Sequence, residues 1–312
     1  MKYAFIKRHA KIWPVVVQCD CLDVSASGYR QHVARQTADG RPCEPGKRIS
    51  QMALAVHVKA LFHEMKGAYG WPRIWRELAA RGIRAGKERV RKLMKDNGLR
   101  ARGKRRFRVT TDSSHGLPVS PNLLRRQFNV ALPNRVWTGD VTYIWTTEGW
   151  VYLAVVIDLH SRQIVGFAMD ATMTRQLVID ALRMAWFRRK PASGLIFHSD
   201  RGSQYASSDF QTQLAAFGMQ GSMSRTGDCW ERAIEGAIGP SPMASAVTET
   251  LFGALKVERL HDMAFTTRRQ AKDEVMNWIQ FYNSKRLHST LGYLSPMDYE
   301  RKKLGEVEAL AA

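Results

Sequence analysis

Three runs of strand-forming residues follow one another between positions 136 and 169, and they constrain the fold more than any other part of the chain. The first, 136–145, alternates with the period of two that is typical of a strand. The runs 150–157 and 163–169 are apolar and rich in β-branched side chains. Because only short polar segments separate the runs, the pattern predicts a three-stranded antiparallel meander.

Helix and strand patterns then alternate along the chain. The predicted elements are a helix over 173–189, a short buried strand over 195–198, a helix over 207–217, a strand over 219–223, and helices over 247–259 and 268–282. A meander followed by helix, strand, helix, strand and further helices matches the ribonuclease H-like fold. We therefore predict an α/β core with a mixed five-stranded sheet and packed helices.

The N-terminal part has helical spacing instead. Residues 1–45 contain two short helical patterns, 15–22 and 26–35, which are equally consistent with a helix-turn-helix and with a simple helical hairpin. Residues 46–110 contain three further helices, the last ending before Gly98, and then a basic arm. This all-α region precedes the α/β core.

These patterns predict a division of the chain into five parts. They are a short helical region over 1–45, a three-helix module with a basic arm over 46–110, a polar linker over 111–133, the ribonuclease H-like core over 134–262 and a C-terminal helical extension over 263–312.

Basic residues outnumber acidic ones by 48 to 28, and the resulting charge of +20 attracts polyanions over a long range. The excess is strongest over 81–110, with 13 Lys or Arg against Glu88 and Asp96. A solvated helix face or a basic protein-binding module would explain part of this run, but the unbalanced arm favours nucleic acid. The arm residues predicted to bind DNA are Arg102, Lys104, Arg105, Arg106 and Arg108.

Cysteine usage and hydropathy exclude other classes. The four cysteines form no CxxC pair and no zinc spacing, so reduced thiols of a cytoplasmic protein explain them most simply. Charged residues and Pro14 interrupt the apolar stretch near the N-terminus, which is poor for a signal peptide. Because no run reaches membrane-spanning length, we expect a soluble intracellular protein without a membrane partner.

Three carboxylates stand in settings that indicate metal-dependent chemistry. Asp140 follows Gly139 inside the first strand, where an unpaired carboxylate is costly. Asp200 opens a polar turn after a buried strand, and Glu249 lies on a predicted helix. Such acids can converge on two Mg²⁺ ions, with Mn²⁺ as an alternative, and clamp the oxygens of a phosphoryl displacement. In so basic a chain they predict a centre that cuts or joins nucleic-acid strands.

Two other acids compete for these roles. Glu235 is nearer to Asp200 in sequence, but the glycines and prolines that follow it cannot continue a helix. Glu249 has helical surroundings, and Lys256 lies on the same predicted face, where it would bind a phosphate. We therefore prefer Glu249. Asp158 ends a strand at a hairpin, where aspartate is a common turn residue, and it is not assigned a metal role.

Further polar residues are candidates for DNA contact. His198, next to Asp200, is predicted to orient that acid or touch DNA, with a structural histidine as an equal alternative. Gln204 and Tyr205 follow in the turn and are predicted to bind DNA. A second cluster lies near the C-terminus, where helix capping explains part of the pattern. Its predicted phosphate contacts are Asn283, Arg286 and His288.

Stretches throughout the chain resemble the second-frame (OrfB) transposase of the large bacterial insertion-sequence family with two overlapping reading frames, a relative of retroviral integrases. They are KGAYGWPRIWREL, GIRAGKERVRKLMKDNGLR, NRVWTGDVTYIW, YLAVVIDLHSRQIVGFAM, FHSDRGSQY, SMSRTGDCW, ETLFGALKVERL and YNSKRLHSTLGYLSPMDY. The resemblance implies a DDE-type polynucleotidyl transferase with Asp140, Asp200 and Glu249 as metal ligands. It also implies an N-terminal helical region that contacts DNA.

The resemblance implies a reaction and partners as well. The enzyme would hydrolyse a phosphodiester at an element end and use the freed 3′-hydroxyl to join strands, without a covalent enzyme intermediate. Its partners would be double-stranded DNA at element ends and target, further copies of itself on that DNA, and a first-frame product or fusion transposase. A bacterial cytoplasmic, nucleoid-associated location follows.

Two features depart from the family pattern. The stretch ERAIEGAIGPSPMAS lies before Glu249 as an insertion, and its composition predicts a surface loop that is tolerated at small entropic cost. The chain also starts at its own Met, without the first-frame part that is often fused. The alternative function is therefore a catalytically impaired DNA-binding partner or inhibitor of the full-length transposase. A ribonuclease H-like nuclease that only hydrolyses is a third hypothesis.

Overall fold

The computed structural model describes residues 2–10, 12–34, 49–103, 120–124, 130–224 and 244–311. The chain forms two compact units. One consists of Met1–Leu61 and Ile74–Gly98, and the other of Phe62–Arg73 and Leu99–Ala312. Within the described ranges, no helix is both long and apolar enough to cross a membrane.

The part of the chain before the sheet is helical wherever it is described as regular structure. Its helices are α1 Lys2–His9, α2 Val15–Cys21, α3 Ala26–Ala34, α4 Gln51–Glu64, α5 Trp71–Ala80 and α6 Lys87–Asp96. The first three pack around Ile6, Cys19 and Tyr29. Gly98, just after α6, has a φ of +67°, a left-handed conformation that glycine adopts without strain. Helices α2 to α6 agree with the predicted patterns.

The second unit is built on a five-stranded mixed sheet. Its strands are β1 Val136–Thr146, β2 Gly149–Asp158, β3 Ile164–Asp170, β4 Ile196–Ser199 and β5 Gln220–Met223. They lie in the order β3-β2-β1-β4-β5. The β1–β2 and β2–β3 pairs are antiparallel, and the β1–β4 and β4–β5 pairs are parallel. The predicted meander and the ribonuclease H-like sheet are confirmed.

Helices cover both faces of this sheet. On one face, α7 Arg175–Arg189, α8 Ser203–Ala206 and α9 Ser208–Ala216 enclose a core that includes Trp137 and Phe197. On the other, α10 Ala244–Leu255 and α11 Arg268–Ser284 enclose a core that includes Ile144 and Trp278. Because both faces are covered, β2 is apolar along most of its length rather than alternating.

The chain after α10 departs from a regular helix. A π-helical turn, Lys256–Leu260, continues directly from α10, where the sequence had predicted unbroken α-helix to residue 259. Such turns widen the helix by one residue per turn and are frequent at functional sites. Helix α12, Pro296–Ala311, follows a short 3₁₀ turn at Ser289–Leu291 and packs against α11.

Candidate active site

Asp140 and Asp200 lie side by side at the place where β4 ends. The parallel register pairs Thr138 of β1 with His198 of β4, and its continuation by two residues brings Asp200 next to Asp140. Beyond this point β1 runs on without β4 as a neighbour, so among the described residues both carboxylates lie at an open edge of the sheet. Both side chains are partly exposed. The sheet topology therefore brings together two of the three predicted acids.

Local hydrogen bonds orient the two carboxylates. Oδ1 of Asp140 accepts from the backbone N of Val141 at 2.8 Å, and the Thr248 side chain also bonds to this carboxylate. Oδ1 of Asp200 accepts from the backbone N of Gly202 at 3.0 Å. Burial, followed by repulsion from the Asp200 carboxylate, raises the pKa of Asp140 to about 7. The site therefore places two carboxylates where the charge of one disfavours the ionisation of the other.

Glu249 lies on α10, one residue after Thr248. Thr248 is buried, whereas Glu249 is exposed. The charge of Glu249 contributes to the raised pKa of Asp140, after the larger effects of burial and of Asp200. In the described part of the chain, however, no group of three or more His, Cys, Asp or Glu side chains is gathered as a metal site. Glu235, the alternative to Glu249 as the third acid, lies outside the described residues.

Lys256 begins the π-helical turn and stands beside the acids. Its Nζ lies 5.2 Å from the ring centre of Tyr143, three residues after Asp140 on β1. Burial lowers the pKa of Lys256, and the nearby Tyr143 and Asp140 oppose that lowering. A cation is therefore present at the same edge of the sheet, where it can meet the phosphate of a substrate bound to the aspartates.

Gly139 is required by the packing behind Asp140. A Cβ at this position would lie 2.5 Å from Cζ of Phe197, closer than carbon atoms approach, and would make a tight contact of 3.3 Å with Cε1 of Tyr205. Tyr205 is buried against Phe197 and Phe210. Burial raises the pKa of the Tyr205 hydroxyl well above its usual value, and the charges of Asp140 and Asp200 add to this. The burial of Tyr205 favours a packing role over the predicted DNA contact.

His198 and Gln204 differ in their surroundings. His198 is 4% exposed, and its ring nitrogens lie 3.0 Å from Oγ of Ser222 and 3.3 Å from Oγ of Ser224. Burial lowers the pKa of His198 to about 4, which keeps the ring neutral. The geometry supports the structural alternative for this histidine. Gln204 is partly exposed in the turn after Asp200, as a DNA contact requires.

The C-terminal cluster is engaged inside the protein. Asn283 donates to the carbonyl of Ile164 and accepts from its backbone N, both at 2.9 Å, which ties α11 to β3. Arg286 is buried and paired with Glu258. His288 contacts the Tyr282 hydroxyl at 3.3 Å. These contacts support packing roles for Asn283, Arg286 and His288 rather than the predicted grip on a phosphate backbone.

The basic arm is described only at its start. Nη2 of Arg102 lies 3.1 Å from Asp262, and Nη1 donates to the carbonyl of Glu258 at 3.1 Å. The other predicted arm contacts, Lys104, Arg105, Arg106 and Arg108, lie outside the described residues.

Sequence reasoning did not single out two residues that touch the site. Thr248 bonds to Asp140, and Tyr143 lies under the Lys256 ammonium. Thr248 directly precedes Glu249, the preferred third acid. A hydroxyl group at this helix position was the sequence feature that could have indicated a role for Thr248 in the site. Tyr143 carried no such signal, because strand alternation assigns its side chain to the face opposite Asp140.

The donor set fits a hard divalent cation. Asp140 and Asp200 offer adjacent carboxylate oxygens, which Mg²⁺ and Mn²⁺ prefer, and their mutual repulsion is the kind that such an ion relieves. Glu249, whose charge acts on Asp140, is the candidate for a third ligand. In chemical terms, the edge combines a cation-binding acid pair with a lysine for an anionic substrate.

Family comparisons define the class of protein. The family described as "Integrase core domain" matches residues 131–229, and a second family of the same description matches 249–304. The family "HTH-like domain" matches residues 50–107. With the mixed five-stranded sheet, these matches make the chain a DDE-type polynucleotidyl transferase of the transposase and integrase class that binds DNA.

Two relatives narrow the class to a family. "Transposase InsF for insertion sequence IS3A" of Escherichia coli (strain K12) is 39% identical over 305 residues, which are 97% of this chain and 100% of that protein. "Insertion element IS600 uncharacterized 31 kDa protein" of Shigella sonnei is 39% identical over 285 residues, 91% of this chain and 97% of that protein. The chain belongs to this family of insertion-sequence transposases, as its motifs had predicted.

Solved structures show a weaker likeness. The HTLV-2 integrase catalytic core, solved in complex with magnesium, is 17% identical with a TM-score of 0.40, and the match covers 54% of this chain and 97% of that one. At this level the likeness carries no inference about function.

Proposed function

We propose that this transposase hydrolyses phosphodiesters at the ends of its insertion sequence and joins the freed 3′ ends to target DNA. The catalytic acids in this proposal are Asp140, Asp200 and Glu249. The observation that supports this proposal is the adjacency of Asp140 and Asp200 at the open edge of the sheet. The charge of Glu249 also acts on Asp140.

The chain's own residues have separable roles in this reaction. Asp140 and Asp200 would hold the divalent cations, with Mg²⁺ preferred, and Glu249 would complete the ligand set. When bound, such ions activate a water or hydroxyl nucleophile and stabilise the leaving oxygen. Thr248 orients the Asp140 carboxylate, and Lys256 would bind a non-bridging phosphate oxygen.

DNA partners follow from the same proposal. The HTH-like region and the excess of Lys and Arg suit double-stranded DNA at element ends and target. Because two element ends must be joined to one target, we also propose that the chain acts as a homo-oligomer assembled on DNA. A first-frame product or a fusion that contains it would be a further partner.

The test is an end-cleavage and joining assay on the purified chain with Mg²⁺ and labelled element ends. Asp140→Asn is expected to abolish both steps while DNA binding persists. Glu249→Gln and Glu235→Gln form a matched pair, and only the first should abolish chemistry. If only Glu235→Gln abolishes chemistry, the assignment of the third acid fails.

One observation favours the alternative, a catalytically impaired DNA-binding partner or inhibitor. Glu249 is exposed, and the described acids are not gathered into a three-member metal site. DNA binding without cleavage in the unmutated chain, together with reduced joining when it is mixed with an active fusion transposase, would establish this second function.

A further inference from the structure

The β1–β2 hairpin carries aromatic side chains that the catalytic proposal does not use. Trp145 and Trp150 pair across the strands, with ring centres 4.7 Å apart and planes at 70°. The Trp150 ring also meets Tyr143 edge-on at 5.1 Å. Trp145 is 59% and Trp150 41% exposed, although large aromatic rings are on average well buried. We refer to Tyr143, Trp145 and Trp150 as the hairpin aromatic group.

This group is continuous with the candidate active site. Tyr143 lies three residues after Asp140 on β1, and the Lys256 ammonium stands 5.2 Å from its ring centre. Lys256 is in turn near enough to the Asp140 carboxylate to sense its charge. The side chain of Lys256 therefore connects the Tyr143 ring with the Asp140 carboxylate, although strand alternation starts these two side chains on opposite faces of β1.

The hairpin is held firmly to the core. The backbone N of Thr147 donates to the carbonyl of Phe265 at 3.0 Å, and Nε of Arg268 donates to the carbonyl of Trp150 at 3.2 Å. Glu148 accepts from the backbone N of Arg268 at 2.8 Å. The exposed rings are therefore presented on a rigid support, which lowers the entropic cost of binding.

We propose that the hairpin aromatic group is a stacking platform for unpaired bases of the DNA strand that enters the active site. This inference rests on the proposed function. Every base has a flat π face, and proteins that hold single strands combine aromatic rings with nearby cations for the phosphates. Here Lys256, whose Nζ lies 5.2 Å from the ring centre of Tyr143, supplies such a cation.

The exposed rings are too small for a stable protein interface. A buried aromatic side chain contributes about 150–250 Å², whereas a stable interface buries about 800 Å² on each partner. Two tryptophans fall well short of that area. Charge also favours the nucleic acid, because the chain carries a net charge of +20.

The test compares two DNA probes bound to the full chain in EDTA, so that cleavage cannot interfere. One is a blunt duplex, and the other is the same duplex with a short 3′ tail that contains 2-aminopurine. The fluorescence of 2-aminopurine is quenched when the base stacks on an aromatic ring. The variants are Trp145→Ala with Trp150→Ala, the same pair changed to Phe, and the control Phe187→Ala, which removes another exposed ring. Affinity is read by anisotropy.

The unmutated chain should prefer the tailed probe and quench its 2-aminopurine. The Ala pair should lose about tenfold in that preference, while the Phe pair and Phe187→Ala keep it. The proposal is overturned if the Ala pair keeps the preference, if the unmutated chain shows neither preference nor quenching, or if the Ala pair changes only the oligomeric mass. If the unmutated chain prefers the tailed probe but does not cleave DNA in Mg²⁺, the proposed function is contradicted and the stacking proposal is not.

Discussion

The carboxylate of Glu258 accepts three hydrogen bonds from the guanidinium of Arg286, two from Nε at 2.8 and 3.0 Å and one from Nη2 at 2.6 Å. Both side chains are only 6% exposed. Trp278 donates to the same carboxylate at 3.3 Å, and Nη1 of Arg73 lies 3.5 Å away. Because Glu258 belongs to the π-helical turn that begins at Lys256, the pair anchors that turn to the C-terminal segment.

Arg286→Met should therefore destabilise the protein strongly. It leaves the Glu258 carboxylate buried with only partial compensation, which costs about 3–5 kcal/mol of unfolding free energy. The exposed pair of Arg301 with Asp298 provides the control, and Arg301→Met should cost less than about 1 kcal/mol. Urea unfolding followed by circular dichroism measures both. Equal losses in the two variants would contradict the anchoring role.

Gly139→Ala should destabilise the core by about 1–3 kcal/mol, because the added methyl group overlaps the Phe197 ring. Phe197→Leu should relieve part of this cost. The free energy of unfolding lost in the double variant should therefore be smaller than the sum of the losses in the two single variants. Gly253→Ala on α10 is the control, since nothing lies within 4 Å of its Cβ, and it should be neutral or stabilising. Additive losses from positions 139 and 197 would rule out the steric explanation.

Thr248→Val should lower strand cleavage about 10–100-fold, as is typical when a hydrogen bond that orients a metal ligand is lost. Its fold should persist, because the two side chains have nearly the same shape. Thr212→Val, at an exposed position of α9, controls for the effect of valine in a helix. Single-turnover cleavage rates are compared at several Mg²⁺ concentrations. An unchanged rate at every concentration would remove Thr248 from the site.

His288 should make stability depend on pH in the acid range. Burial and the charge of Arg286 lower its pKa to about 3, whereas histidine in an unfolded chain titrates at about 6.5. Between these two pH values the imidazole is protonated in the unfolded state but not in the folded state. The free energy of unfolding therefore falls as pH drops below about 6.5. The contribution of this group to the pH dependence levels off near its folded pKa.

A His288→Gln variant isolates this effect from the other titrating groups. The difference in unfolding free energy between the unmutated chain and the variant should shrink as pH falls from 7 to 4, by at most about 1.4 kcal/mol per pH unit. Urea midpoints at four pH values provide the measurement. A difference that stays constant across this range would show that His288 is not held neutral by the fold.

Much of the fold could be predicted because the information is local. Strand alternation and apolar runs predicted β1 to β5 within a few residues, and helical spacing predicted α7 and α11. The π-helical turn after Leu255 was not predicted, and it contains Glu258, whose partner Arg286 lies in a distant segment. Periodicity cannot register a contact of that kind.

The sequence by itself determined the order of the elements and the class of enzyme, and it supplied the acids that we propose for its chemistry. Only the tertiary structure decided which side chains meet. The parallel pairing of β4 with β1 places Asp200 beside Asp140. Packing of the C-terminal segment engages Arg286 and Asn283 in contacts inside the protein. The physical reason is that secondary structure follows from neighbours along the chain, whereas a charge or carboxylate takes its role from partners that only folding brings near.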